Sequence, residues 1–577
     1  MSAVITRISG SLVVAKAVEN AKMFDLVLVG KPKLMGEIIK LKDDSVFIQV
    51  YEDTTGICVG EQVFNTGAPL SVELGPGLLS SIYDGVQRPL PVLEKSCGSF
   101  IARGVSSFGL SRDLRWHFIP KVNKGDLVGP GDVLGEVQEK GINHYILVPP
   151  GISGNIEELK EGEFTIEEPI AYIRSPLTAH RSPITMLQRW PVRVSRPIKE
   201  RLPPNVPLFT GQRVLDTFFP IAKGATAIIP GGFGTGKTVL EQTLAKFCDC
   251  DIIVYIGCGE RGNEMTSVLT EFPHLEDPRN GRPLMDRTLL IANTSNMPVA
   301  AREASIYVGV TIAEYYRDMG YDVVVLADST SRWAEALREI SSRLEEMPQE
   351  EGYPPYLADR LNKFYERAGR VRCFSKDNRI GSVTIIGAVS PPGGDFSEPV
   401  TQNSLRISGA FWALDTNLAY RRHFPAINWL ISYTLYKERL KGWFENNVSE
   451  DWEALVNSVS GLLQKEVEIQ KVAQVVGIEA LPAQERLILE SCGMVREIFL
   501  QQNAFDPIDR LSSLKRQETL LRILLLFFKV QNLWLKKGKP LEEILEHSVK
   551  EEIAHLREFG EEEFFKEVER IKGRLTE

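Results

Sequence analysis

The stretch Gly231-Gly232-Phe233-Gly234-Thr235-Gly236-Lys237-Thr238 constrains this chain more than any other. It fits the G-x-x-x-x-G-K-[ST] pattern of a phosphate-binding loop. Before it, residues 225–229 (Ala-Thr-Ala-Ile-Ile) form a short apolar run that reads as a buried strand. After it, residues 239–247 read as a helix start, with apolar positions at Leu240, Leu244 and Phe247. Glycines let the backbone curl so that successive N–H groups point inward, and the helix dipole adds positive potential there. Residues 231–239, from Gly231 to Val239, are therefore the candidate cradle for a nucleoside triphosphate. In such a loop Lys237 reaches the β/γ-phosphates and the Thr238 hydroxyl binds Mg²⁺. A glycine-rich turn beside a surface lysine is the plainer alternative, and the flanking strand and helix count against it.

A chain of 577 residues is too long for one core and predicts roughly three or four domains. Its net charge of −9 argues against a nucleic-acid partner. Seven cysteines, odd in number and scattered, suggest a reducing compartment rather than a disulfide framework. Cys248 and Cys250 have no downstream Cys/His pair, so zinc is not expected. Residues 1–7 lack signal-peptide organisation. The most apolar run, 520–535, is broken by Arg522, Lys529, Gln531 and Asn532, so no direct membrane span is expected and a membrane role would come through partners.

Taken in order, residues 1–70 alternate short β-rich runs with turns, the pattern of a small barrel or sandwich. Residues 71–110 read as a turn-rich linking segment packed with the nucleotide-binding domain. Residues 111–188 return to strand–turn units with a G-D-x-[VL] rhythm similar to that of the barrels that carry biotin or lipoate. The turn Pro149-Pro150-Gly151 has no lysine to modify, so this is read as a structural β module. Across 189–436, apolar strand-like runs at 251–256, 288–292, 322–327 and 382–386 alternate with helical ones such as 299–318, the sign of an α/β parallel sheet. From 437 to 577 strand signals give way to long Leu/Glu/Lys-rich helices.

Asp328 follows a strand-buried run, 323–326. An acid at the carboxyl end of a parallel strand beside a phosphate loop is positioned to hold Mg²⁺. Glu260 follows the run 251–256 through Gly257-Cys258-Gly259. If that strand neighbours the phosphate-loop strand, its carboxylate faces the γ-phosphate and can orient the attacking water. Arg261 could hold phosphate or Glu260 itself, although the pattern alone also fits a polar turn. Arg332 is a weaker candidate, since such an arginine more often pairs locally. Phe424 could stack on a base, or simply pack beside Pro425.

These residues carry a family resemblance. The phosphate loop, Gly257-Cys258-Gly259-Glu260-Arg261-Gly262-Asn263-Glu264-Met265, Ala327-Asp328-Ser329-Thr330-Ser331-Arg332-Trp333-Ala334-Glu335-Ala336, Ser390-Pro391-Pro392-Gly393-Gly394-Asp395 and Phe424-Pro425-Ala426-Ile427-Asn428-Trp429 resemble the catalytic A subunit of V-type and archaeal-type rotary ATPases. The resemblance spans essentially the whole chain. It implies a multidomain α/β chain: an N-terminal β-barrel, an inserted β-rich bulge domain (111–188), a RecA-like P-loop nucleotide-binding domain and a C-terminal helical domain. It further implies ATP/ADP and Mg²⁺ as ligands. The implied partners are B subunits in an alternating A3B3 hexamer, central and peripheral stalk subunits, and through the stalks a membrane rotor sector. The chain would then be a peripheral part of a membrane complex on its cytoplasmic face. By the same resemblance Lys237 and Thr238 bind phosphate and Mg²⁺, Glu260 positions water, Arg261 assists at the phosphates, and Asp328 is the second acidic Mg²⁺ contact. Phe424 and Phe505 line the adenine pocket, an arginine finger comes from the neighbouring B subunit, and residues 475–482 resemble the turn that pushes on the rotor. Thr235 stands where eukaryotic members carry a cysteine linked to redox control, which implies an archaeal-type or bacterial member without that switch. There are two rival readings. One is a nucleotide-binding structural subunit that does not hydrolyse; the other is a different hexameric P-loop ATPase, for secretion or nucleic-acid translocation.

Overall fold

The computed structural model describes residues 3–98, 100–175 and 180–576. The first six strands form one antiparallel sheet, in which Val4–Ser9 is at one end and Val63–Pro69 at the other. A bridge between Val4 and Gln62 joins the two ends. That closure removes the open edge of a small sheet. Alternating inward residues, among them Val13, Val27, Ile38, Ile48 and Val50, fill the interior.

Beyond the barrel, Ser71–Leu74 pairs with Gln188–Pro191, and Ile82–Tyr83 adds a parallel edge strand beside Thr288–Thr294. The β module between them consists of two four-stranded sheets. It is fastened to the nucleotide-binding domain through buried polar groups. His144 lies between Glu139 (2.5 Å) and Tyr315 (2.9 Å), and Glu139 also accepts from the backbone N–H groups of Gly77 and Leu79. Each buried acceptor is thereby matched to a donor, the condition for burying charge without large cost.

At the centre is a ten-stranded sheet, with the parallel order Ala410–Phe411, Thr226–Pro230, Ile380–Val389, Asp322–Asp328, Ile252–Glu260, Thr288–Thr294. Its strands read as unbroken apolar runs because helices cover both faces. Val299–Asp318 is buried along almost its whole length. The sheet corrects one sequence expectation. The strand Ile252–Glu260 does not neighbour the phosphate-loop strand; Asp322–Asp328 and Ile380–Val389 stand between them. Glu260 still reaches the loop's surroundings because its strand runs past the end of Asp322–Asp328 while staying paired with Thr288–Thr294. Gly257 is in register with Asp328, and Glu260 lies three residues further on.

Helices form the C-terminal part, with Trp452–Val476 and Leu514–Lys536 the longest. At the tip after the first of these, Val475 and Ile478 are 84% and 58% exposed. No described helix is long and apolar enough to cross a membrane.

Candidate active site

The strand Thr226–Pro230 feeds the glycine-rich loop, and the helix Lys237–Phe247 begins at its end, two residues earlier than the sequence pattern suggested. Gly234 and Gly236 have φ of 77° and 86°, left-handed values that glycine adopts without strain. A Cβ on Gly236 would also meet the Phe424 ring at 3.4 Å. Inside the loop the Thr235 hydroxyl donates to the Gly232 carbonyl at 2.8 Å. The Lys237 ammonium donates to the carbonyls of Gly231 (2.7 Å) and Gly232 (2.9 Å). Burial pulls the Lys237 ammonium down, against the opposing charges of Asp328, Glu260, Glu241 and Glu264. Lys237 thus faces four acids at the mouth of the loop.

The Thr238 hydroxyl points at the Asp328 carboxylate, 3.5 Å away, and the Tyr255 hydroxyl donates to the same oxygen at 3.2 Å. Burial pushes the Asp328 carboxyl up, while Glu241 within hydrogen-bonding reach, then Lys237 and Tyr255, pull the other way. Glu260 is raised to about 8, first by burial, then by Asp328 and Glu264. Hydroxyl and carboxylate oxygens are the donor set that a hard divalent ion such as Mg²⁺ takes. These residues fit that ion.

Arg261 is exposed at the rim, its guanidinium 4.7 Å from the centre of the Phe233 ring, which is 78% exposed. Arg332 pairs with Glu335 at 2.8 Å, the local pairing that the sequence pattern favoured. Phe424 and Phe505, far apart in sequence, meet across a cleft of about 410 Å³ whose wall also includes Gly236, Val239 and Gln502. The cleft is mostly apolar and opens beside the helix that leaves the phosphate loop, as a base pocket requires. Its far wall is fixed by Gln502, whose backbone N–H donates to the Phe424 carbonyl at 2.8 Å and whose side chain donates to the Gly211 carbonyl at 2.9 Å.

The structure adds residues that the motifs did not single out. Glu241, one turn after Thr238, is fully buried and turned toward Asp328. Its signal was an acid on the buried stripe of a helix, beside Leu240, Leu244 and Ala245. Gln501, Asn503 and Arg557 line the aromatic cleft from the C-terminal part. No local pattern links them to a loop more than 200 residues earlier.

A phosphate loop at the carboxyl end of a parallel α/β sheet, ringed by acids and flanked by an aromatic cleft, defines a P-loop nucleotide-binding protein. Four family models match in order along the chain. They are the beta-barrel domain of the ATP synthase alpha/beta family (residues 5–67), the ATP synthase alpha/beta subunit barrel-sandwich domain (107–193), the nucleotide-binding domain of that family (211–434), and the C-terminal domain of V and A type ATP synthase (441–545). The V-type ATP synthase alpha chain of Thermoanaerobacter pseudethanolicus is 57% identical, over 98% of this chain and 96% of that one. An A-type ATP synthase A subunit of Methanospirillum hungatei is 57% identical, over 99% and 97%. This chain belongs to the A (alpha) subunit family of the V-type and A-type ATP synthases. A solved structure of the assembled ATPase EscN, from the type III secretion system of enteropathogenic E. coli, matches with a TM-score of 0.62 and 21% identity, over 91% of this chain and 100% of that one. At that identity the likeness bears on the fold alone.

Proposed function

We propose that this chain is the catalytic subunit of a rotary ATPase. It hydrolyses ATP, or makes it in reverse, at its interface with a B subunit in an alternating A3B3 head. A central stalk couples that chemistry to proton or sodium transport by a membrane rotor sector, and peripheral stalk subunits hold the head still. The chain itself is then peripheral, on the cytoplasmic face of the membrane. The supporting observation is the convergence of Lys237, Thr238, Asp328 and Glu260 around one phosphate loop, although they come from three separate strand ends.

ATP phosphates lie against the backbone N–H groups of the loop, and Lys237 exchanges its two carbonyl contacts for phosphate oxygens. The base lies between Phe424 and Phe505. Thr238 and Asp328 hold Mg²⁺, which neutralises charge on the phosphates when bound. Glu260 orients the attacking water; a carboxyl raised to about 8 exchanges a proton readily near neutral pH. Arg261 leaves the Phe233 ring to meet phosphate, and a B-subunit arginine completes the site. The division that accompanies this reading is a barrel (1–70), a linking segment (71–110), the inserted β module (111–188), the catalytic domain (189–436) and the helical domain (437–577). The exposed tip around Val475 and Ile478 meets the rotor.

Glu260→Gln tests the reading in the assembled head. Turnover should fall by at least ~100-fold while nucleotide still binds. Unchanged turnover overturns the role given to Glu260.

A further inference from the structure

Glu241 is fully buried, and neither of its carboxylate oxygens has a hydrogen-bond donor. Among the described residues no other buried acid is left with both oxygens unmatched. Glu303 is held by Arg193, Glu314 by Arg367 and the Arg196 N–H, and Glu398 by the N–H groups of Val400 and Thr401. Natural proteins rarely leave a buried charged group in this position, so such a group calls for an unseen partner. The side chain within hydrogen-bonding reach of Glu241 is itself an acid, Asp328. A buried carboxyl without a donor, set against a second buried acid, is held there by a shared proton or by a cation. A third oxygen beside them favours the cation. Thr238 lies three residues before Glu241 on the same helix face, and its hydroxyl points at the same Asp328 carboxylate, 3.5 Å away.

We propose that Glu241 is an acidic residue of the divalent-cation site, acting with Thr238 and Asp328 on the metal that accompanies the nucleotide. The proposal rests on the Mg²⁺ role given above to Thr238 and Asp328, and adds a third oxygen donor from the helix itself. A cation set between Asp328 and Glu241 satisfies the unmatched carboxylate. It also fixes the first turn of the helix to the strand Asp322–Asp328.

The test uses the full chain with ADP as nucleotide and Mn²⁺ as metal, the free ion being followed by electron paramagnetic resonance. Glu241→Gln keeps the shape and removes the charge. The proposal predicts Mn²⁺ binding weaker by at least ~10-fold, with ADP binding in EDTA unchanged. Mn²⁺ affinity equal to that of the unaltered chain overturns the proposal and leaves the Thr238–Asp328 reading standing. Thr238→Val is the companion variant, predicted to lose Mn²⁺ affinity as well; if it binds Mn²⁺ normally, the cation reading of the site fails, and the proposal with it. Glu241→Asp, which withdraws the charge without removing it, is predicted to lose less than Glu241→Gln. An equal or larger loss contradicts a role for the charge.

Discussion

Burial is the first influence on Lys237, Glu260 and His423. At Lys237 burial pulls the ammonium down and the four surrounding acids oppose that pull. His423 shows the opposite case. Burial, with Arg496 nearby, lowers its imidazole from the ordinary 6.5 to about 4. Among the described residues its Nε2 has no hydrogen-bond partner, and its ring packs on Trp429 at 5.7 Å. Between pH 6.5 and 4 the unfolded chain takes up a proton that the folded one refuses. The contribution of His423 is therefore intact above pH 6.5 and is lost as pH falls, with a slope of at most about 1.4 kcal/mol per unit. Urea midpoints measured from about pH 7 to about 4.5 should fall less steeply in His423→Asn than in the unaltered chain. Equal slopes would mean that this imidazole is protonated in the fold.

Between elements, the decisive link runs from the short helix Arg213–Phe218 to the loop after the π-helical turn Val495–Leu500. Arg213 is buried. It donates to the carbonyls of Phe499 (2.8 Å) and Gln501 (2.6 Å) and pairs with Asp509 at 2.6 Å. The same loop carries Gln502, Asn503 and Phe505 into the aromatic cleft, so a shift of that wall would pull on the helical domain. Arg213→Ala leaves Asp509 a buried, unpaired charge and should cost about 3–5 kcal/mol of stability, read by chemical denaturation; a loss under about 1 kcal/mol would show that the loop is held otherwise.

This element scale also marks how far the sequence could be read. The phosphate loop, its strand and its helix were legible because glycine spacing and apolar runs are local signals, as were the strands that end at Asp328 and Glu260. Sheet order was not, because pairing joins residues far apart in the chain, such as Thr226 and Ile385. Glu241 was missed because a charged residue in a helix ordinarily faces water, and only the packing of that helix against Asp328 reverses the expectation. The family resemblance paired Phe505 with Phe424; no local pattern around either residue could have done so.

As a whole, the molecule is a set of β modules and helices clamped onto one sheet by buried ion pairs. Arg193 joins Glu37 of the barrel to Glu303 of the catalytic domain, and Arg196 pairs with Asp318 at 2.6 Å. In the proposed function the exposed face near the loop, with Phe233 and Arg261 at its rim, receives the arginine of a neighbouring chain. The most direct test of a site shared between two chains is steady-state ATP hydrolysis by the full chain alone and after assembly with its B partner. The account predicts little turnover alone and a rise of at least ~1,000-fold on assembly, the usual worth of an arginine supplied in trans. Full activity of the lone chain as a monomer would contradict it.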